Sequence, residues 1–102
     1  MNKKEKLIEV SGKKYKRDTL EDYIKVTAFF RERQRMPTTV EFSRIIGVVV
    51  SAAYYRLNRL VDSGLIEKAA SNQARAYRVP GTFIVFPYIR QRVVNALLEE
   101  PE

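Results

Sequence analysis

The chain has 102 residues, with 19 Lys or Arg against 12 Asp or Glu and a formal net charge of +7, and it contains neither Cys nor His. That length allows one modest core and no separate catalytic domain, while the missing residue types exclude disulfides, thiolate chemistry, Ser–His–acid catalysis and any zinc site other than an all-carboxylate one. No apolar run nears the roughly 20 residues of a bilayer span, and the N-terminus lacks the apolar stretch of a secretory signal, so a cytoplasmic protein is expected, of cellular, viral or mobile-element origin.

Residues 1–17 carry a net +5 and form a basic arm. Within them "KLIEVSGKKYK" alternates imperfectly around Ser11-Gly12, a pair suited to a tight turn, so the segment reads as a small hairpin or as a disordered arm. Asp18, three residues before Glu21, marks a helix start. In "TLEDYIKVTAFFRERQR", Leu20, Tyr23, Ile24, Thr27 and Phe30 share a stripe, and Glu21, Asp22, Lys25 and Glu32 face away. Phe29 falls on that polar face, where it marks a surface for a second helix or subunit. Pro37 is expected to stop this helix.

Thr38 and Glu41 have the spacing of a capping box for a second helix, with Phe42, Ile46 and Val49 on its core side and Gly47 ending it. A third helix spans about Val50 to Ser63, buries Ala53, Leu57, Leu60 and Val61, and stops at Gly64. Tyr54 is placed at the core edge beside Val50 and Val61. "LIEKA" and "RAYRV" then alternate as two strands around Ser71-Asn72-Gln73. After the break at Pro80-Gly81, "TFIVF" reads as a short strand, and "PYIRQRVVNALLEE" as a helix with Pro87 in its first turn.

The expected architecture is α+β and mostly α. It comprises the arm or hairpin (1–17), a central domain (18–80) with two helices joined by a glycine turn and followed by a hairpin, and a strand plus helix (81–102). A stripe of Ser51, Ala52, Tyr55, Arg56 and Arg59 is left outside the third helix. Arginine can bond guanine's major-groove edge or clamp phosphate, tyrosine can donate to phosphate, and Val50 and Ala52 are small enough to meet a thymine methyl. Backbone N–H groups at Thr38, Thr39 and Val40 favour a phosphate. Residues 51–79 carry a net +3, and Lys68, Asn72, Gln73, Arg75 and Arg78 decorate the hairpin. Taken singly, each of these residues could equally be a solvated surface group. In combination they point to duplex DNA.

The block "GVVVSAAYYRLNRLVDSGLIE", followed by "ARAYRV", resembles the winged helix-turn-helix of bacterial and archaeal repressors, and "MPTTVEFSRIIG" is similar to the DNA-binding domain of LexA repressors. The resemblance spans roughly residues 18 to 79. It implies that Ser51, Ala52, Tyr55 and Arg56 enter the major groove, that Thr38, Thr39 and Arg44 hold backbone, and that Arg75 lies at the wing. The chain departs from the family at Val49, where a Ser or Thr cap is usual, so the third helix could begin later, at Ser51. A second departure is Ile45, which replaces a polar surface residue. No protease domain is expected after this block, which leaves out LexA-type self-cleavage.

A sequence-specific, double-stranded DNA-binding regulator of repressor type is therefore expected, and not an enzyme, with no cofactor and with neither metal nor membrane as partner. The alternatives are a winged-helix replication or nucleoid-packing protein and a protein–protein adaptor presenting Tyr55, Ile45 and Phe29. In the last helix Ile89, Val93, Ala96 and Leu97 share a face that Val94 and Leu98 widen. That face either builds a homodimer against Phe29 or folds back on the chain's own first helix.

Overall fold

The computed structural model describes residues 7–68, 77–78 and 85–99, and describes the side chains of all of these but 68, 77, 78 and 85–89. Its elements are β1 (Leu7–Val10), β2 (Lys13–Lys16), α1 (Arg17–Arg33), α2 (Thr39–Ile46), α3 (Val50–Ser63), β3 (Glu67–Lys68), β4 (Tyr77–Arg78) and α4 (Val85–Glu99). The described residues are α+β and mostly helical, with two separate two-stranded antiparallel sheets among them.

β1 and β2 form a hairpin in which Val10 faces Lys13 across a two-residue turn. Ser11 and Gly12 both take positive φ, 53° and 87°, the combination that matches the twist of the flanking strands. Ile8 and Val10 point into the core, and Leu7 and Glu9 point out. A hairpin therefore stands where hairpin or disordered arm had both been open.

α1 begins two residues earlier than expected. Lys16 is its N-cap and makes no side-chain capping bond, which puts Asp18 inside the first turn. Nor is Pro37 its stop. The helix ends at Gln34, whose left-handed backbone (φ 62°) sends its N–H to the Phe30 carbonyl at 2.7 Å. More consequential is the width of the buried face. Thr19, Asp22 and Val26 are buried along with Leu20, Tyr23 and Thr27, because α3 covers one side of α1 and α4 the other. A single apolar stripe underestimates a helix packed on two sides.

α2 packs against α3. The capping box at α2 is complete. Thr38 N–H donates to Glu41 Oε1 at 2.9 Å, and Glu41 N–H donates to Thr38 Oγ1 at 3.1 Å. Gly47 (φ 72°) closes the helix, and its N–H reaches the Ser43 carbonyl. Phe42, Ala53, Leu57 and Leu60 are buried here, with Ile46 and Val61 packed against them. Two expectations fail. Val49 is 69% exposed, not a core residue, and Tyr54 is exposed instead of covering the core edge. Val49 is the N-cap of α3, in extended conformation before the helix begins, and the rotation of α3 that buries Ala53, Leu57 and Leu60 leaves Tyr54 outside.

Leu65 and Ile66 lead from α3 into β3, and both are buried. The pairing of Glu67 with Arg78 and Lys68 with Tyr77 defines the base of the second hairpin. Its tip lies outside the described residues. So does most of "TFIVF", but Val85 and Phe86 are helical, which corrects the expected strand at those two positions.

α4 packs on α1 and β1 of its own chain. Val93 is fully buried, and Ala96 and Leu97 pack against the same core. Arg90 Nε donates to Thr27 Oγ1 at 2.9 Å, and Thr27 Oγ1 itself donates to the Tyr23 carbonyl at 2.7 Å. Arg92 Nη1 donates to Ser11 Oγ at 2.9 Å, tying the helix to the hairpin turn. The expected dimer face is corrected accordingly. Val93, Ala96 and Leu97 serve the chain's own interior, Val94 is half-buried and Leu98 stays exposed. Phe29 is no open docking point, because the guanidiniums of Arg33 and Arg35 lie 5.2 and 5.1 Å from its ring centroid. The side chain of Ile89 lies outside the described residues.

Candidate nucleic-acid interface

The surface around α3 is defined by how that helix is rotated in its frame. Ala53, Leu57 and Leu60 set the inward direction. Opposite them stand Ser51 and Tyr55, with Asn58 one turn further on, a spacing of four and then three residues that holds one line along a helix. Tyr55 is 67% exposed and Ser51 is exposed, while Asn58 is half-exposed. Val50 and Tyr54 flank this line, and Asp62 closes it at the C-terminal end.

The two arginines of α3 are turned elsewhere. Arg56 donates from Nε to Asp22 Oδ2 at 2.9 Å and from Nη2 to Asp22 Oδ1 at 2.7 Å. Asp22 is 1% exposed, so this is a bidentate pair with a buried carboxylate. The hydrogen bonds to Asp22 hold the Arg56 guanidinium above the usual arginine range, against the opposing effect of its own burial. Arg59 Nη2 lies 3.2 Å from Asp18 Oδ2 and 3.8 Å from Asp22 Oδ2. These are charge contacts without hydrogen-bond geometry, and Arg59 Nε and Nη2 are buried with no hydrogen-bond partner among the described residues. Two positive charges of α3 are thus set against two carboxylates of α1. The expectation that Arg56 reads a base edge is corrected in this respect: its fork is already filled by Asp22, and Ala52 beside it is only half-exposed.

The expected stripe splits for a geometric reason. Each step of four residues overshoots a full turn by about 40°. The series Ser51, Tyr55, Arg59 therefore winds from the outward direction toward α1. A series that corrects with a step of three finds Asn58, which the stripe omitted.

At the N-terminus of α2 the expected phosphate site is partly filled from within. The Glu41 carboxylate takes the Thr38 N–H and is gripped by Arg35, Nη1 to Oε1 at 2.9 Å and Nη2 to Oε2 at 2.8 Å. These bonds, Arg35 first and the Thr38 backbone second, hold the Glu41 carboxyl at about 2, well below the usual carboxylate range. Thr39 is buried, whereas Thr38, Val40 and Arg44 are exposed. Sequence reasoning missed Arg35, and no motif announces it. Its place beside the cap is a product of the Gln34 turn. On the hairpin, the backbone of Lys68 and Arg78 lies in the paired strands, and Asn72, Gln73 and Arg75 lie outside the described residues.

The first hairpin meets α3 at its other end. Lys13 Nζ comes within 3.9 Å of where a Cβ on Gly64 would stand, beside the carbonyl-rich terminus of the helix.

No sequence family and no curated protein matches the chain. Among solved structures it is similar to a protein of Methanosarcina mazei Go1 described as "Possible transcriptional regulator", at 15% identity and a TM-score of 0.46, over 94% of this chain and 91% of that one. At that identity and superposition the likeness carries no argument for fold or function. Among the described residues no helix is long and apolar enough to cross a membrane, and no group of three or more carboxylates is placed to hold a metal ion.

Proposed function

We propose that the chain is a sequence-specific duplex-DNA-binding protein of winged helix-turn-helix build, acting in transcriptional regulation, with α3 in the major groove and the β3–β4 hairpin as wing. One observation carries the reading. The outward line of α3 presents Ser51, Tyr55 and Asn58 together on a helix whose inner face is locked by α1 and α2, which suits insertion of that helix into a groove. With Arg56 and Arg59 set against α1, the attraction to phosphate falls to Arg44, Lys68, Arg75 and Arg78 as backbone contacts. Thr38 and Val40 flank the same groove from the start of α2.

Selection from a random duplex pool tests the reading directly. An enriched motif whose binding weakens with rising salt is expected, with loss of affinity in Tyr55→Ala. Failure to enrich any duplex at moderate salt overturns it.

A second reading, a protein–protein adaptor, is favoured by one feature. Ile45, Val49, Val50, Tyr54 and Tyr55 are exposed large apolar residues on α2, α3 and the turn between them. It predicts binding that is insensitive to salt and no selection of DNA.

A further inference from the structure

We infer that α3 reads A·T base pairs, taking thymine by its C5 methyl group and adenine by the Asn58 amide, and discriminates against G·C pairs. The inference rests on the DNA-binding reading above and narrows its ligand.

Guanine is most often read by the fork of an arginine on its O6 and N7 acceptors. Arg56 is withdrawn from that task, and Arg59 is turned toward α1. Arg56 gives both arms of its fork to Asp22, and Arg59 stands against Asp18 and Asp22. Turning Arg56 outward would strand a carboxylate that is 1% exposed, and an unpaired buried charge is costlier than one base contact is favourable. The Arg56–Asp22 pair therefore persists in the bound state, and Arg59 leans toward the carboxylates of α1, off the outward line.

What does project is neutral. Val50, Tyr54 and Tyr55 offer apolar surface from the first half of the helix. In the major groove only thymine among the four bases presents a methyl group, so an apolar reading surface selects it. Asn58 lies on the same line, half-exposed, and its amide bonds to no described residue. A carboxamide matches adenine's N7 acceptor and N6 donor as a two-bond partner. From Ser51 to Asn58 the helix rises about 10 Å, the span of roughly three base pairs. Asp62 ends the line with a negative charge that phosphate repels, which confines the reading to this N-terminal half.

The test uses the full chain and four duplexes of roughly 20 base pairs, two helical turns, at one moderate salt concentration. They are a mixed A·T duplex, the same duplex with deoxyuridine for thymine, a G·C duplex, and that duplex with 5-methylcytosine. Deoxyuridine removes only the methyl group, and 5-methylcytosine adds one in the groove. The A·T duplex is expected to bind about tenfold tighter than the G·C duplex, with about threefold or more lost on deoxyuridine substitution and partly regained on cytosine methylation. Asn58→Ala, a change at a half-exposed position, should narrow the A·T preference yet keep the deoxyuridine effect. Equal binding of the thymine and deoxyuridine duplexes overturns the methyl readout, and a G·C duplex bound as tightly as A·T overturns the whole inference. Binding of none of the four overturns instead the DNA-binding reading beneath it, and points to the apolar surface as a protein contact.

Discussion

Arg56 on α3 and Asp22 on α1 are joined by two hydrogen bonds, of 2.9 and 2.7 Å, with the carboxylate buried and the guanidinium at the surface edge. The pair fixes the rotation of α3 on α1. Breaking it from the arginine side leaves a buried charge uncompensated, so Arg56→Ala should destabilise the fold by about 3 kcal/mol. Arg59 faces the half-exposed Asp18 without hydrogen-bond geometry, and Arg59→Ala should cost under about 1 kcal/mol. Urea midpoints of the two variants decide the matter, and equal losses would contradict this ranking.

Val49 holds the N-cap position of α3 without a capping bond and with its side chain in solvent. Val49→Ser supplies an acceptor for the first turn and should raise stability by about 1 kcal/mol. A lowered melting temperature would show that the valine makes apolar contacts worth more than the missing cap.

Glu41 titrates low, at about 2 against an ordinary 4.5. Its folded value lies below its unfolded one, so its contribution is present above about pH 4.5 and fades as the pH falls toward 2. NMR titration should place its midpoint near 2, and Arg35→Gln should move it upward. A midpoint near 4 in the unaltered protein would mean that the Arg35 fork is not formed in solution.

Tyr23 presents the opposite case. Burial pushes its phenol up to about 12, with the nearby Arg90 charge working against the shift. A raised acid binds its proton more tightly when folded, so stability holds below pH 10 and falls between about 10 and 12. Tyr23→Phe should flatten this alkaline loss as followed by circular dichroism. Identical alkaline midpoints for the two proteins would remove Tyr23 from the account.

α4 belongs to the interior of its own chain, so substitutions on it should separate by face. Val93→Ala should lower stability by about 2 kcal/mol, and Leu98→Glu should leave it unchanged. Sedimentation of Leu98→Glu should also match that of the unaltered chain. A Leu98→Glu protein that loses mass would restore a subunit contact at that end of the helix.

Local signals were legible wherever one residue type satisfies one backbone need. Ser11-Gly12, the Thr38–Glu41 box and Gly47 each occupy the turn or cap that their chemistry serves. What escaped depends on a neighbour far along the chain. Asp22 looks like a surface carboxylate until α3 brings Arg56 to it across 34 residues. Val49 reads as core by spacing, yet the cap conformation turns it outward. The candidate site was legible as a segment but not as a face, because a small error in helix rotation exchanges Asn58 for Arg59.

Asn58 makes no side-chain bond to the described residues, and Ser51 and Tyr55 stand in solvent, whereas Arg56 holds the helix in place. Stability and the proposed recognition therefore fall on different residues of the same helix. Exchanges at the three outward positions should stay within about 0.5 kcal/mol of neutral. A library randomised at Ser51, Tyr55 and Asn58 alone would consist mostly of folded members. The helix could then be given new partners without any repair to the frame that holds it.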